Sequence, residues 1–395
     1  MRILFLSTWF PYPPDNGSKL RVRSLLRGLC QHHDVTLLSF VDRSHASLPE
    51  PRTRLKAIRT VSMRPYNPLA PGALAGFFSP TPRAVVGTYQ ARMAELIREE
   101  LGRDRYDLVV ASQWPTAAYW SNFVDVPSVL EEIEVGMLEA KKAMAVGTLK
   151  RMRHQFTLLK WQFYLRQLLP HFRVCTVVSD VEAALIRRMV PGYHHLEVIP
   201  NGVNLEDYRY QPRAPRPNEL IFTGSLRFFA NYDAADWFLR SVYPRVQAAV
   251  PGVHLTVTGD YAHLPPSRSS GSVTFTGVVS DVHHRVASSW VSLAPIRLGG
   301  GTRFKILEAM ALGTPIVATS KGAEGLEVQH DEHLLLADTS EAFAEATIRL
   351  LKDPALRDRL AHNAYQLVYE KYNWQAIIPR FNTLLEQVVG NWYDQ

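Results

Sequence analysis

"GGGTRFKILEAMALGTPIVA", residues 299–318, is the stretch that decides how this chain is read. Three glycines run into two cations, then an apolar helical pattern with one carboxylate, then Gly313, Pro315 and a β-branched run. Thr302 is placed to cap a helix starting at Arg303, and Gly313 with Pro315 stops it. At about 100° per residue Phe304, Leu307 and Ala311 share one face, with Ile306 and Met310 beside it. Lys305 and Glu308 fall together on the remaining side.

Gly299, Gly300 and Gly301 have no side chains, so a ligand can approach their amides closely. The helix start adds a partial positive charge, and Arg303 and Lys305 add full ones. This is an anion site, most naturally for a phosphate or diphosphate. Glu308 cannot bind phosphate, but its carboxylate can accept two hydrogen bonds from a diol such as the 2′ and 3′ hydroxyls of a ribose. Phosphate and ribose together mean a nucleotide. The pattern GxGxxG is absent, Phe304 standing where its last glycine would be, which argues against a dinucleotide-binding dehydrogenase.

Outward from this stretch, strand and helix patterns alternate. "ELIFTG" (219–224), "VHLTVTG" (253–259), "SVTFTG" (272–277), "WVSLAP" (290–295), "PIVATS" (315–320) and "HLLLAD" (333–338) read as strands with helices between. An earlier series holds "RILFLS" (2–7), a helix from about Ser18 to Gln31, "VTLLSF" (35–40), "YDLVVAS" (106–112), "PSVLE" (127–131), "VCTVVS" (174–179) and "LEVIP" (196–200). Apolar strands separated by helices imply α/β domains with parallel sheets covered on both faces. The Pro-rich "QPRAPRPN" (211–218) reads as a connecting loop. Two doubly wound domains are expected, 1–198 and 199–375, with a last helix, 376–395, returning to the first. Such domains bind ligands at the carboxyl ends of their strands, so a central cleft is the expected site. The length of 395 residues also exceeds what one core usually spans.

Composition is globular, with 46% hydrophobic and 21% charged residues. No apolar run approaches the roughly 18 residues of a spanning helix. "MRILFLSTWFPYPP" reads as a first strand rather than a signal peptide. Cys30 and Cys175 have no CxxC or CxxH neighbour, which suggests neither a disulfide framework nor a zinc site and fits a cytoplasmic protein. Residues 1–200 carry 26 Lys and Arg against 17 Asp and Glu; residues 201–395 carry 18 against 20. The first domain therefore faces something anionic. No acid lies between Glu139 and Asp180, where eight cations interleave with Phe156, Trp161, Phe163, Tyr164 and Phe172. Another acid-free stretch, between Glu50 and Glu95, includes "NPLAPGALAGFFSPTP" (67–82). Segments 51–92 and 141–173 are thus candidates for peripheral docking on an anionic membrane, on its inner face. A solvated cationic face with a packed loop is the other reading. No nucleic-acid-binding module is present.

"VIPNGVNLEDY" (198–208), "TGSL" (223–226), "VTFTGVVSD" (273–281) and "KILEAMALGTPIVAT" (305–319) together make the chain resemble a GT-B glycosyltransferase of the retaining family 4 type. The details are most similar to bacterial transferases of exopolysaccharides and cell-surface glycans. The resemblance implies two Rossmann-like domains, an acceptor domain first and a donor domain second. By position, Glu308 matches the second glutamate of the family's Glu-x7-Glu motif, which holds the donor ribose. The first glutamate falls at Gly300 and is missing. The family's phosphate-binding cations would fall at Ser225 and Ala230, leaving Arg303 and Lys305 as replacements and Arg227 as a weaker one. Gly224 opens the donor domain, the backbone at Val278 and Val279 would face the nucleobase, and Gly17 would close over the diphosphate. Gln113 is expected on the acceptor side, and so are Glu131, Glu132 and Glu134, which follow a first-domain strand; a solvated turn is the other reading of the three glutamates.

The reaction implied is transfer of a sugar from a UDP- or GDP-linked donor to a glycan or lipid-linked acceptor, with retention. No cofactor is expected. The chain has no Asp-x-Asp triplet, so the leaving diphosphate is expected to be stabilised by residues 299–305 without metal. A GT-B nucleotide-sugar epimerase, and a non-catalytic membrane-docked scaffold, are the rival readings.

Overall fold

The computed structural model describes residues 1–42, 54–64, 66, 67, 69, 73, 74, 76–143, 147–208, 215–261, 271–300 and 304–393. The chain divides into two compact units, Met1–Pro200 with Ile377–Gln395, and Asn201–Ala376.

The first unit is built on a parallel seven-stranded sheet: β1 (Arg2–Ser7), β2 (Asp34–Val41), β3 (Ala57–Ser62), β4 (Leu108–Ser112), β5 (Ser128–Glu131), β6 (Val174–Val177) and β7 (Leu196–Val198). Their order is β3-β2-β1-β4-β5-β6-β7. Every residue of β4 and β5 is buried, as expected of central strands covered on both faces. β1 lies between β2 and β4, so the winding reverses at its carboxyl end, where Thr8 Oγ1 donates to Ser112 O at 3.1 Å.

Helix α1 (Gly17–Leu29) follows β1; Asn16 caps it by accepting from the Lys19 amide. The last helix (Trp374–Tyr393) packs on this unit from Ile377 onward. Gly28 lets it approach: a Cβ there would lie 2.5 Å from Ile378 Cδ1. The Arg173 guanidinium sits 4.4 Å over the Trp392 ring. A helix of 21 residues, Thr148–Leu168, buries Leu158, Trp161, Leu165 and Leu168 in the core.

The second unit has six parallel strands: β8 (Glu219–Thr223), β9 (His254–Thr258), β10 (Val273–Gly277), β11 (Val291–Ala294), β12 (Ile316–Ala318) and β13 (Leu335–Leu336). Their order is β10-β9-β8-β11-β12-β13, so the winding reverses between β8 and β11. The helix of the opening stretch spans Phe304–Ala311. Ile306, Leu307, Ala309, Met310 and Ala311 are buried on it, sealing it against the sheet. Among the described residues no helix is long and apolar enough to cross a membrane.

Candidate functional site

Strands β8, β9 and β10 each end in Thr-Gly, and Gly224, Gly259 and Gly277 all have positive φ. The requirement is steric at Gly259, whose Cβ would meet Gly224 O at 2.5 Å. Gly224 N donates to Thr258 O and Gly259 N to Gly277 O, which binds the three strand ends into one rim. That rim borders the switch point of the second sheet, where open α/β sheets take ligands.

Lys305, in the first turn of Phe304–Ala311, reaches this rim. Its ammonium donates to Thr223 O at 2.7 Å and to Asn231 Oδ1 at 2.9 Å, and lies 4.5 Å over the Phe222 ring. Sequence position had not linked Asn231 to the site. One turn further, Glu308 is partly buried. Burial pushes its carboxyl up to about 7, opposed by a hydrogen bond from Tyr208 and by the Lys305 charge. The Tyr208 hydroxyl donates to Glu308 Oε1 at 3.3 Å. Its ring lies on that of His283 with centroids 4.5 Å apart. Burial lowers the His283 pKa, favouring the neutral ring. Tyr208 ends the motif "VIPNGVNLEDY", yet nothing in its spacing announced a partner 100 residues on.

The other expected donor residues are placed as follows. Gly299 is buried with φ 98°. Gly300 lies beside it, whereas Gly301, Thr302 and Arg303 lie outside the described residues. Arg227 is exposed and paired with Asp260. Val278 is exposed after β10, and Val278 and Val279 both line a cavity of about 490 Å³ with Asp281, His284 and Thr256.

In the first unit, Gly17 opens α1. Glu131 and Glu132 part company. Glu131 is fully buried and accepts from Arg21 Nε at 2.6 Å and Ser112 Oγ at 2.8 Å. Arg21 is equally buried and also donates to Ile199 O and Pro200 O, both at 3.0 Å. Glu131 therefore holds β5, α1 and the end of the unit together, and does not reach the acceptor side where sequence placed it. Glu132 steps out of the strand with φ 57°, and Gln113, after β4, does the same with φ 71°. The two side chains meet, Gln113 Nε2 donating to Glu132 Oε2 at 2.9 Å and to Ser18 Oγ at 3.2 Å. Burial pushes the Glu132 carboxyl upward, Arg21 pulling the other way. Gln113, Glu132 and Glu134 line a cavity of about 540 Å³ walled by Trp114, Trp161 and Phe156. Carboxyl and amide groups beside aromatic faces suit a polyhydroxylated ligand. The aromatic wall was legible as composition but not as a wall, because it joins a strand end to a helix dozens of residues away.

Comparison with known proteins gives two family matches. Residues 16–202 match the glycosyl transferase 4-like domain, and residues 217–353 match glycosyl transferases group 1. An uncharacterised 44.6 kDa protein in the cps region of Klebsiella pneumoniae is 20% identical over 95% of this chain and 97% of its own. Sucrose-phosphate synthase from Thermosynechococcus elongatus superposes with a TM-score of 0.69 at 20% identity, covering 99% of both chains. Anabaena HepE, solved with UDP and glucose, superposes with a TM-score of 0.68 at 16% identity, covering 98% of this chain and all of its own.

Proposed function

The chain belongs to the GT-B glycosyltransferases, with a 4-like first domain and a group 1 second domain, and from that premise we propose that it moves a sugar from a UDP- or GDP-linked donor to a glycan or lipid-linked acceptor, with retention and without a metal ion. The observation that carries the donor assignment is the pair Lys305 and Glu308, one turn apart on a helix at the switch point of the second sheet. A cation at the strand rim suits the diphosphate, and a carboxylate one turn deeper suits the ribose diol. HepE, which shares the fold, was solved with UDP and glucose.

In this reading the bond between the sugar's C1 and the phosphate oxygen breaks, and its electron pair stays on the diphosphate. Lys305 stabilises that growing charge more than it stabilises the bound donor, which lowers the barrier. The acceptor hydroxyl bonds to C1 from the same face, and its proton passes to the departing phosphate oxygen. Retention follows from that geometry of attack. Metal independence is supported by the absence of an Asp-x-Asp triplet from the sequence. The cavity beside Gln113 and Glu132 is the acceptor's place, with the carboxyl accepting from a sugar hydroxyl and the tryptophans covering its apolar face.

The test is nucleoside diphosphate release from a panel of UDP- and GDP-sugars, with glycan and polyprenyl-linked acceptors, with and without EDTA. One donor should be consumed, a new glycosidic product should form, and EDTA should change nothing. Loss of activity in EDTA with recovery on adding manganese would overturn the metal-free reading. A donor converted with no acceptor product would favour an epimerase.

A further inference from the structure

The helix Thr148–Leu168 has two apolar seams. One, Leu158, Trp161, Leu165 and Leu168, is buried in the first unit. The second, Leu149, Met152, Phe156, Leu159 and Phe163, is spaced three and four residues apart and stays exposed from end to end, from 84% at Leu149 to 47% at Phe163. At helical spacing these five fall within an arc of roughly 80°, opposite the buried seam, over about 21 Å. The exposed seam continues onto a loop: Lys160 donates to Gly76 O, Phe77 O and Ser79 O, holding Phe77 and Phe78 beside the helix. Phe78 is 95% exposed. Single exposed apolar residues need no explanation, but a continuous stripe does.

We infer that this seam and the Phe77–Phe78 loop are the face by which the protein lies on an anionic lipid surface. Charge chooses lipid over a second copy of the chain. Residues 148–168 contain no acid, while Lys150, Arg151, Arg153 and Arg166 are exposed on the helix. By helical angle Arg153 and Arg166 flank the seam on its two sides. Two such helices pairing through their seams would bring like charges together, with no carboxylate available to cross-pair as a helix dimer needs. An anionic headgroup layer meets the same cations favourably, and an apolar stripe bordered by cations is how a helix lies in the plane of an interface. The inference does not rest on the donor chemistry, because this surface lies in the first unit and the donor site in the second.

The test is co-sedimentation with vesicles of equal parts phosphatidylglycerol and phosphatidylcholine, against pure phosphatidylcholine, at low salt. The full-length protein should bind the first and not the second. Replacing Leu149, Met152, Leu159 and Phe163 together by serine should cut partitioning at least tenfold, with an unchanged melting temperature because the residues are exposed. Arg153→Ala with Arg166→Ala, the two cations that flank the seam, should cut it roughly 25-fold, about fivefold per cation. A UDP-induced thermal shift, equal in wild type and variants, separates this surface from the donor site. No binding to the anionic vesicles, or binding that the serine variant leaves intact, would overturn the inference. A dimer in sedimentation equilibrium that the serine variant dissolves would overturn it in favour of a second copy.

Discussion

Two pairs of opposite charge lie near the switch points of the two sheets, and they are finished differently. In the first unit, Arg21 and Glu131 are fully buried and hydrogen-bonded to each other and to Ser112, Ile199 and Pro200. In the second unit, Lys305 turns to a carbonyl and an amide, and Glu308 accepts, among the described residues, a long hydrogen bond from Tyr208. A saturated buried pair holds a fold. A partly buried carboxylate whose charged form is disfavoured by burial costs stability in the free protein and gains most from a partner that brings donors.

The comparison breaks first at Arg21. Arg21→Ala or Glu131→Ala leaves its partner's charge buried alone and should cost about 3–5 kcal/mol. Denaturant unfolding should show this as a lower midpoint. A loss under about 1 kcal/mol would mean the pair is dispensable and the contrast is false.

Lys305→Ala should remove a charge-assisted bond of about 1.5–3 kcal/mol from the transition state, a loss of roughly 10- to 150-fold in kcat/KM carried mainly by kcat. An unchanged kcat would remove Lys305 from the leaving-group role.

Glu308 sharpens the comparison through pH. Its carboxyl titrates near 7 in the folded protein against an ordinary value of 4.5. Between those values the folded chain holds a proton that the unfolded chain has released, so stability from this group falls as pH rises through that window. Glu308→Gln should flatten that fall and leave the protein more stable at about pH 8, while weakening donor binding. The wild type's affinity for nucleoside diphosphate should rise from about pH 6 to 8 as the carboxylate forms, and the variant's should not. Calorimetric titrations at three pH values would check both.

The smallest effect is expected at Arg227, whose exposed pair with Asp260 should matter by no more than about 0.5 kcal/mol to folding. A larger loss in kcat/KM than in stability at Arg227→Ala would restore it as a phosphate ligand.

The sheets were legible because their central strands are apolar runs; "RILFLS" is β1 residue for residue. β3, Ala57–Ser62, was not. It lies at the sheet edge with only Val61 buried, so "AIRTVS" carries no continuous apolar signal. The helix of the opening stretch was legible from its period, and so was the shared side of Lys305 and Glu308. What Lys305 touches was not, because Thr223 and Asn231 come from elements far back in the chain. Glu131 and Glu132 read alike in sequence. A left-handed step at Glu132 separates them, and no residue type at that position signals it. Tyr208 and the Trp114–Trp161 wall likewise depend on contacts that only folding creates.

The most direct measurement is the thermal shift of wild type and Glu308→Ala with UDP, GDP, ADP and NAD. A ligand at 100 times its dissociation constant adds about 2.7 kcal/mol of stability. A shift with UDP or GDP that vanishes in the variant is expected, with the variant itself still folded. No shift with any nucleotide, or a shift that Glu308→Ala leaves intact, would contradict the claim that this helix holds the donor.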